Sequence, residues 1–236
     1  MDGEWVHLEV EDGTTMRAWL VRPKGGESGA AMLVLHDALG VSPHIREVAA
    51  RFVSEGYTAL APELFHRTGH GFEGSPGKIP DAMERIRALT PEGQAADVRA
   101  AFARLADEPS VDPERVAAVG YCMGGRAAFL ANAVVPLAAS ISYYGGGIAE
   151  GLLDRVADLS GPQLLFWAGQ DQRILSEHVR AVEDALRKAG KRYASVVFSQ
   201  AQHSFFNEPM GRYDAPAATQ SWALAMAFLG SYVLGG

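Results

Sequence analysis

The sequence predicts an α/β protein built on a mostly parallel central sheet with helices on both faces, and three observations carry that prediction. Short apolar runs recur along the chain at Ala31 to Leu35, Thr58 to Ala61, Val116 to Val119, Ala138 to Ser142 and Leu164 to Ala168. Such runs suit strands buried on both sides. Most of them are separated by segments of helical periodicity, and alternation of this kind implies parallel strands joined by helical crossovers. Finally, 236 residues with 48% apolar and 21% charged side chains form a globular composition large enough for one sizeable core. Residues 1–236 are therefore read as a single domain.

Each element has its own signal. Trp5 to Val10 and Thr15 to Val21 alternate apolar and polar residues around Asp12-Gly13, the pattern of an antiparallel hairpin at a sheet edge. Helices are expected over His44 to Glu55, Pro91 to Ala106, Met123 to Ala133, Ser176 to Ala189 and Ala215 to Leu229. Thr90-Pro91-Glu92 has the form of a helix start, Gly56 and Gly190 suit helix stops, and Ser176 followed by Glu177 would cap and charge the fourth helix. Arg67 to Pro80 is rich in Gly and Pro, with His66 and His70 beside it. It is read as part of a loop-rich surface excursion around residues 65–90, close to a site.

Composition also narrows the partners. A net charge of -7 and a pI near 5.5 leave no basic surface for phosphates, so nucleic acid is not expected. One cysteine cannot form an intrachain disulfide, and Met1-Asp2-Gly3-Glu4 lacks the charged and apolar regions of a signal peptide, so a cytoplasmic location is expected. The uncharged stretches Ala127 to Ala149 and Ala215 to Gly236 are interrupted by Asn132, Pro136, Pro216 and Thr219-Gln220-Ser221. Neither offers the roughly 20 consecutive apolar residues a bilayer requires, so no membrane partner is expected. The expected partner is a small molecule, bound by a monomer or small homo-oligomer.

The single cysteine stands in Gly120-Tyr121-Cys122-Met123-Gly124-Gly125, directly after an apolar run. This G-x-C-x-G frame is that of a nucleophile elbow, a strand-to-helix turn that raises one side chain above the sheet, with sulfur in place of the more usual serine oxygen. A lone buried cysteine is otherwise an inert small hydrophobe, so partners decide the reading. Asp171 follows Leu164 to Ala168, and His203 follows Val196-Val197-Phe198, each in a loop after a strand. In an open parallel sheet those loops gather at one edge, and the order nucleophile, acid, base is that of α/β-hydrolases. Asp171 alone would read as a turn residue and His203 alone as a surface residue; Asp154 and Asp158 are rival acids that precede the strand. His7, His44 and His178 read as structural or solvated. The strand Leu33 to Leu35 runs into His36-Asp37-Ala38-Leu39-Gly40, where such enzymes supply one oxyanion amide. Ala38 N–H is the first candidate donor and Met123 N–H the second. His36 and Asp37 read either as loop polar residues or as direct participants.

Leu35-His36-Asp37-Ala38-Leu39-Gly40, Ala61-Pro62-Glu63-Leu64-Phe65, the cysteine frame, Gly169-Gln170-Asp171 and Gln202-His203-Ser204-Phe205 together make the chain resemble the dienelactone hydrolase family, over nearly its whole length. The resemblance implies an α/β-hydrolase fold, a Cys-His-Asp triad, attack on an ester or lactone carbonyl, a thioester acyl-enzyme, and no metal or organic cofactor. It also implies a carboxylate that modulates the thiol, a glutamate in the family and Asp37 here. Family members acting on dienelactone grip a substrate carboxylate with arginines, one shortly after the histidine; this chain has Phe206-Asn207 there. An anionic lactone would lose a partner worth roughly 1.5 to 3 kcal/mol, so neutral esters are the expectation. Arg212 and, from an expected helix where exposure is the default, Arg85 and Arg87 are candidate replacements, and Tyr143 and Asn207 further candidates for substrate contact. Two other classes stay open: a thiol redox sensor, for which a second, resolving cysteine is lacking, and a non-catalytic binding protein of the same fold.

Overall fold

The computed structural model describes residues 3–25, 29–76 and 79–235. Residues 1–2 of the N-terminal segment, residues 77–78 of the excursion and residue 236 lie outside the described residues. The strands are β1 (Glu4–Glu9), β2 (Thr15–Val21), β3 (Gly29–Leu35), β4 (Thr58–Pro62), β5 (Val111–Tyr121), β6 (Ala139–Tyr143), β7 (Gln163–Ala168) and β8 (Tyr193–Phe198). They form one eight-stranded sheet in the order β1-β2-β4-β3-β5-β6-β7-β8. The hairpin β1–β2 pairs antiparallel and β2 meets β4 antiparallel, whereas β4, β3 and β5 through β8 run parallel.

Alternate residues of the central strands point to opposite layers, as the period of two requires. Met32, Val34, Ala59, Ala61, Ala117 and Val119 belong to one core with residues of α1 (Pro43–Ser54) and α7 (Ala215–Tyr232). Ala31, Leu33, Leu35, Leu60 and Ala118 belong to another, with residues of α3 (Pro91–Ala106) and α4 (Met123–Val134). Apolar burial on both faces explains why these strands read as near-continuous hydrophobic runs. Thr90 caps α3 by accepting a hydrogen bond from Gly93 N–H (3.0 Å), and Asp214 caps α7 through Ala217 N–H (3.0 Å). Among the described residues no helix is long and apolar enough to cross a membrane.

The loop-rich excursion holds a 3-10 turn at His66–Thr68 and the helix expected around Arg85 and Arg87, α2 (Ile79–Ala88). One local expectation is corrected. Ser176 does not cap α6 (Ser176–Lys188); it is the first helical residue, and the preceding Leu175 N–H donates to His178 Nδ1 (3.2 Å). The imidazole satisfies the amide that precedes the helix, while the His178 and Val179 N–H groups a Ser176 cap would bind donate to Leu175 O (3.0 and 3.3 Å).

The parallel arrangement fixes where chemistry can occur. The loops after β3, β5, β7 and β8 all leave from the carboxyl edge of the sheet. They carry Asp37-Ala38, Cys122, Asp171 and His203 respectively.

Candidate active site

Cys122 stands between β5 and α4 with φ 56° and ψ -117°, a conformation most side chains avoid. The surrounding glycines make it attainable. A Cβ on Gly120 would lie 1.8 Å from Gly124 O, and one on Gly124 would lie 2.2 Å from Leu35 O. Only hydrogens fit, so α4 packs directly over β5 and β3 and the cysteine is pushed upward. Its N–H donates to Tyr143 O (3.0 Å), locking the turn to β6. Strain of this type typically costs about 1–3 kcal/mol per residue and persists where surrounding structure imposes it. The other described non-glycine residues with positive φ, Tyr144 (39°) and Ser204 (72°), flank the same place: the Tyr144 ring lies 5.1 Å from that of His203, and Ser204 follows it in the chain.

Cys122, His203 and Asp171 form one hydrogen-bonded chain. His203 Nε2 lies 3.1 Å from Cys122 Sγ, and His203 Nδ1 donates to Asp171 Oδ2 at 2.6 Å. The second carboxylate oxygen, Asp171 Oδ1, accepts from Arg173 N–H (2.8 Å) and Ile174 N–H (3.2 Å), which aims the acid. Gln170 N–H donates to Ala201 O (2.9 Å), tying the acid and base loops together. Burial disfavours the imidazolium, but the Asp171 carboxylate and the Cys122 sulfur outweigh it and push His203 up to about 9. Burial likewise works against the Asp171 carboxylate, yet His203 and the two loop amides hold it below its ordinary value.

Met123 is the first residue of α4, so its N–H has no intrahelical acceptor. Ala38 is half-buried and lines the same cavity as Cys122 and His203. This cavity has a volume of about 260 Å³. Leu39, Ile79, Met83, Ile86 and Met210 give it an apolar wall, with Arg173 and Arg212 also on its lining. A second, polar cleft of about 460 Å³ is shared with His203 and lined by Gln170, Asp171, Gln172, Arg173, Gln202 and Arg212.

The remaining candidates have other places. His36 is fully buried: its Nε2 accepts from Leu64 N–H (3.1 Å), so Nδ1 carries the proton and donates to Asp37 O (2.7 Å). Burial keeps this imidazole neutral, lowering it to about 4. Asp37 is buried with both carboxylate oxygens occupied, Oδ1 by Leu39 N–H (2.9 Å) and Oδ2 by Asn207 Nδ2 (2.6 Å). Burial raises it, and those two donors hold the rise back. Tyr143 is buried beneath the elbow, stacked on Tyr121 with centroids 4.9 Å apart, and is not on the cavity lining. Neither Arg85 nor Arg87 reaches the cavity. Arg85 Nη1 donates to Thr68 O and Oγ1 (2.8 Å each), because its position on α2 turns it toward the 3-10 turn, and Arg87 is exposed on the same helix. The sequence reading missed Arg173 and the α2 wall. The spacing of Ile79, Met83 and Ile86 was the available signal, obscured by Pro80 and the glycines before it. Among the described residues no group of three or more His, Cys, Asp or Glu side chains could hold a metal ion.

The dienelactone hydrolase family model matches residues 16–233. The chain belongs to the dienelactone hydrolase family. Among its relatives, a carboxymethylenebutenolidase-type protein of Salmonella typhi is 31% identical over 93% of this chain and 84% of its own. Another from Synechocystis is 30% identical over 86% of this chain and 87% of its own. A dienelactone hydrolase-type structure from Klebsiella pneumoniae superposes with a TM-score of 0.86 at 27% identity, covering 98% of this chain and 99% of that one. The fold is the α/β-hydrolase fold and the protein is a dienelactone hydrolase-like hydrolase.

Proposed function

We propose that this family member hydrolyses carboxylic esters or lactones through a thioester acyl-enzyme on Cys122. The observation that carries the reading is the continuous chain Cys122 Sγ, His203 Nε2, His203 Nδ1, Asp171 Oδ2, at 3.1 and 2.6 Å. In the first half-reaction the Cys122 thiolate attacks the carbonyl carbon, and the oxyanion collects the N–H groups of Met123 and Ala38. Collapse breaks the C–O bond, the alcohol oxygen takes the proton from His203 Nε2, and the acyl group stays on sulfur. Water then attacks the thioester while Nε2 accepts its proton. Collapse releases the acid and regenerates the imidazolium–thiolate pair. Asp171 fixes the ring orientation and stabilises its charge throughout.

The cavity supports a small substrate with an apolar portion against Leu39, Met83 and Ile86. Arg173 and Arg212 supply positive charge at the site from positions other than Phe206-Asn207, so a carboxylate-bearing lactone of the kind the relatives' names denote is accommodated beside neutral esters. Purified protein is expected to cleave short p-nitrophenyl esters, and Cys122→Ala is expected to abolish turnover. Retention of most activity in that variant would overturn the reading.

A further inference from the structure

The carboxylate of Asp37 bridges two loops that are distant in sequence. Its Oδ1 accepts from Leu39 N–H (2.9 Å), folding residues 37–39 into a side-chain-closed turn with Ala38 at its centre. Its Oδ2 accepts from Asn207 Nδ2 (2.6 Å), across a sequence separation of 170. Asn207 is 0% exposed and its N–H donates to Ser204 O (2.9 Å), so it closes the turn that begins at the strained Ser204, directly after His203. One carboxylate thus references both the Ala38 amide and the His203 ring. Cys122 Sγ, by contrast, is hydrogen bonded to His203. Both oxygens of Asp37 are engaged elsewhere, so the geometry does not match a carboxylate that handles the thiol's proton.

We propose that Asp37 and Asn207 form a fixed clasp that positions the oxyanion-hole loop against the histidine loop, and that Asp37 acts through this hydrogen bond and not through its charge on Cys122. The inference rests on the cysteine-hydrolase reading above. The clasp makes an isosteric replacement informative. In Asp37→Asn, Oδ1 continues to accept from Leu39 N–H, and the new amide donates to Asn207 Oδ1, which has no hydrogen-bond partner at present, once the Asn207 amide rotates. The charge is removed and the clasp survives.

The test compares wild type, Asp37→Ala, Asp37→Asn, Asn207→Ala and Cys122→Ala by steady-state hydrolysis of p-nitrophenyl acetate and by the pH dependence of iodoacetamide alkylation at Cys122. Losing the clasp displaces an oxyanion donor and the base together, so Asp37→Ala and Asn207→Ala are expected to lower kcat by about 10- to 100-fold with KM within about threefold. Asp37→Asn is expected to stay within about threefold of wild type, since the bond and not the charge matters. The alkylation midpoint is expected to be common to wild type and Asp37→Asn, which keeps His203 in place beside Cys122. A loss in Asp37→Asn equal to that in Asp37→Ala, an alkylation midpoint that moves in Asp37→Asn, or a wild-type kcat in Asn207→Ala would each overturn the proposal. Should Asp37→Ala fail to fold, Asp37→Asn and Asn207→Ala decide the matter alone. Activity retained in Cys122→Ala would instead remove the underlying hydrolase reading, whichever way the clasp variants behave.

Discussion

His203 sits between two groups that favour its charged form, and this sets a pH dependence. With the imidazolium held up to about 9, the proton needed by the departing alcohol is present through neutral pH and lost above that value. In the proposed mechanism the kcat/KM profile, which reports the free enzyme, is therefore expected to fall on the alkaline side near pH 9. Asp171→Asn removes the carboxylate that helps hold the proton, so this limb should move to lower pH, with kcat reduced on the order of 10³-fold. An unmoved limb measured by stopped-flow or steady-state hydrolysis across pH 6 to 10 would contradict the role given to Asp171. At this scale Cys122, Asp171 and His203 were readable because each needs a backbone feature that leaves a trace in sequence: a glycine frame for the elbow, a strand end for the other two. Asn207 and Arg173 were not readable in the same way. Their contacts depend on which way a loop side chain turns, and nothing in Phe206-Asn207 or Gln172-Arg173 encodes that direction locally.

At the scale of elements, the helix α2 is expected around Arg85 and Arg87, but its role as a cavity wall is not. Its cavity-facing residues Ile79, Met83 and Ile86 follow helical spacing, but Arg67 to Pro80 supplies so many turn residues that local propensity argues for loop. The stretch between the 3-10 turn and α2 is accordingly turn and loop; Arg67 with Asp12 and the buried Asp97, and Arg46 with Glu73, pin it to the body of the protein, while Arg85 ties α2 to Thr68 within the excursion. The sheet elements were legible because burial on both faces imposes uninterrupted apolar runs, whereas α2 covers a cavity and has no such requirement. A bulkier residue on this wall should shorten the acyl chain accepted. Met83→Phe is expected to raise KM for p-nitrophenyl hexanoate severalfold while leaving p-nitrophenyl acetate nearly unchanged, since displaced chain methylenes are worth about 0.8 kcal/mol each. Equal effects on the two esters would place the acyl chain elsewhere.

Across the whole molecule, buried histidines make stability depend on pH in opposite senses. His36 and His44 are both lowered by burial to about 4, so the unfolded chain binds protons that the folded one refuses. Stability is then lost as pH falls from about 6.5 to about 4, and His36 alone accounts for about 3 kcal/mol at the lower end. His203 is raised, so its contribution is complete below 6.5 and lost as pH climbs through about 9. Urea midpoints measured from pH 4 to 10 should therefore peak near pH 6 to 7; a flat profile on the acid side would rule out the neutral, buried state of His36. The composition that predicted one large core has a further consequence. Because Cys122 is the sole cysteine in 236 residues and stands half-buried at the elbow, any thiol label reports on this one position, and its rate of attachment separates folded chains, where the sulfur is shielded, from unfolded ones. The slow phase of labelling thus measures the folded fraction of a preparation without a substrate.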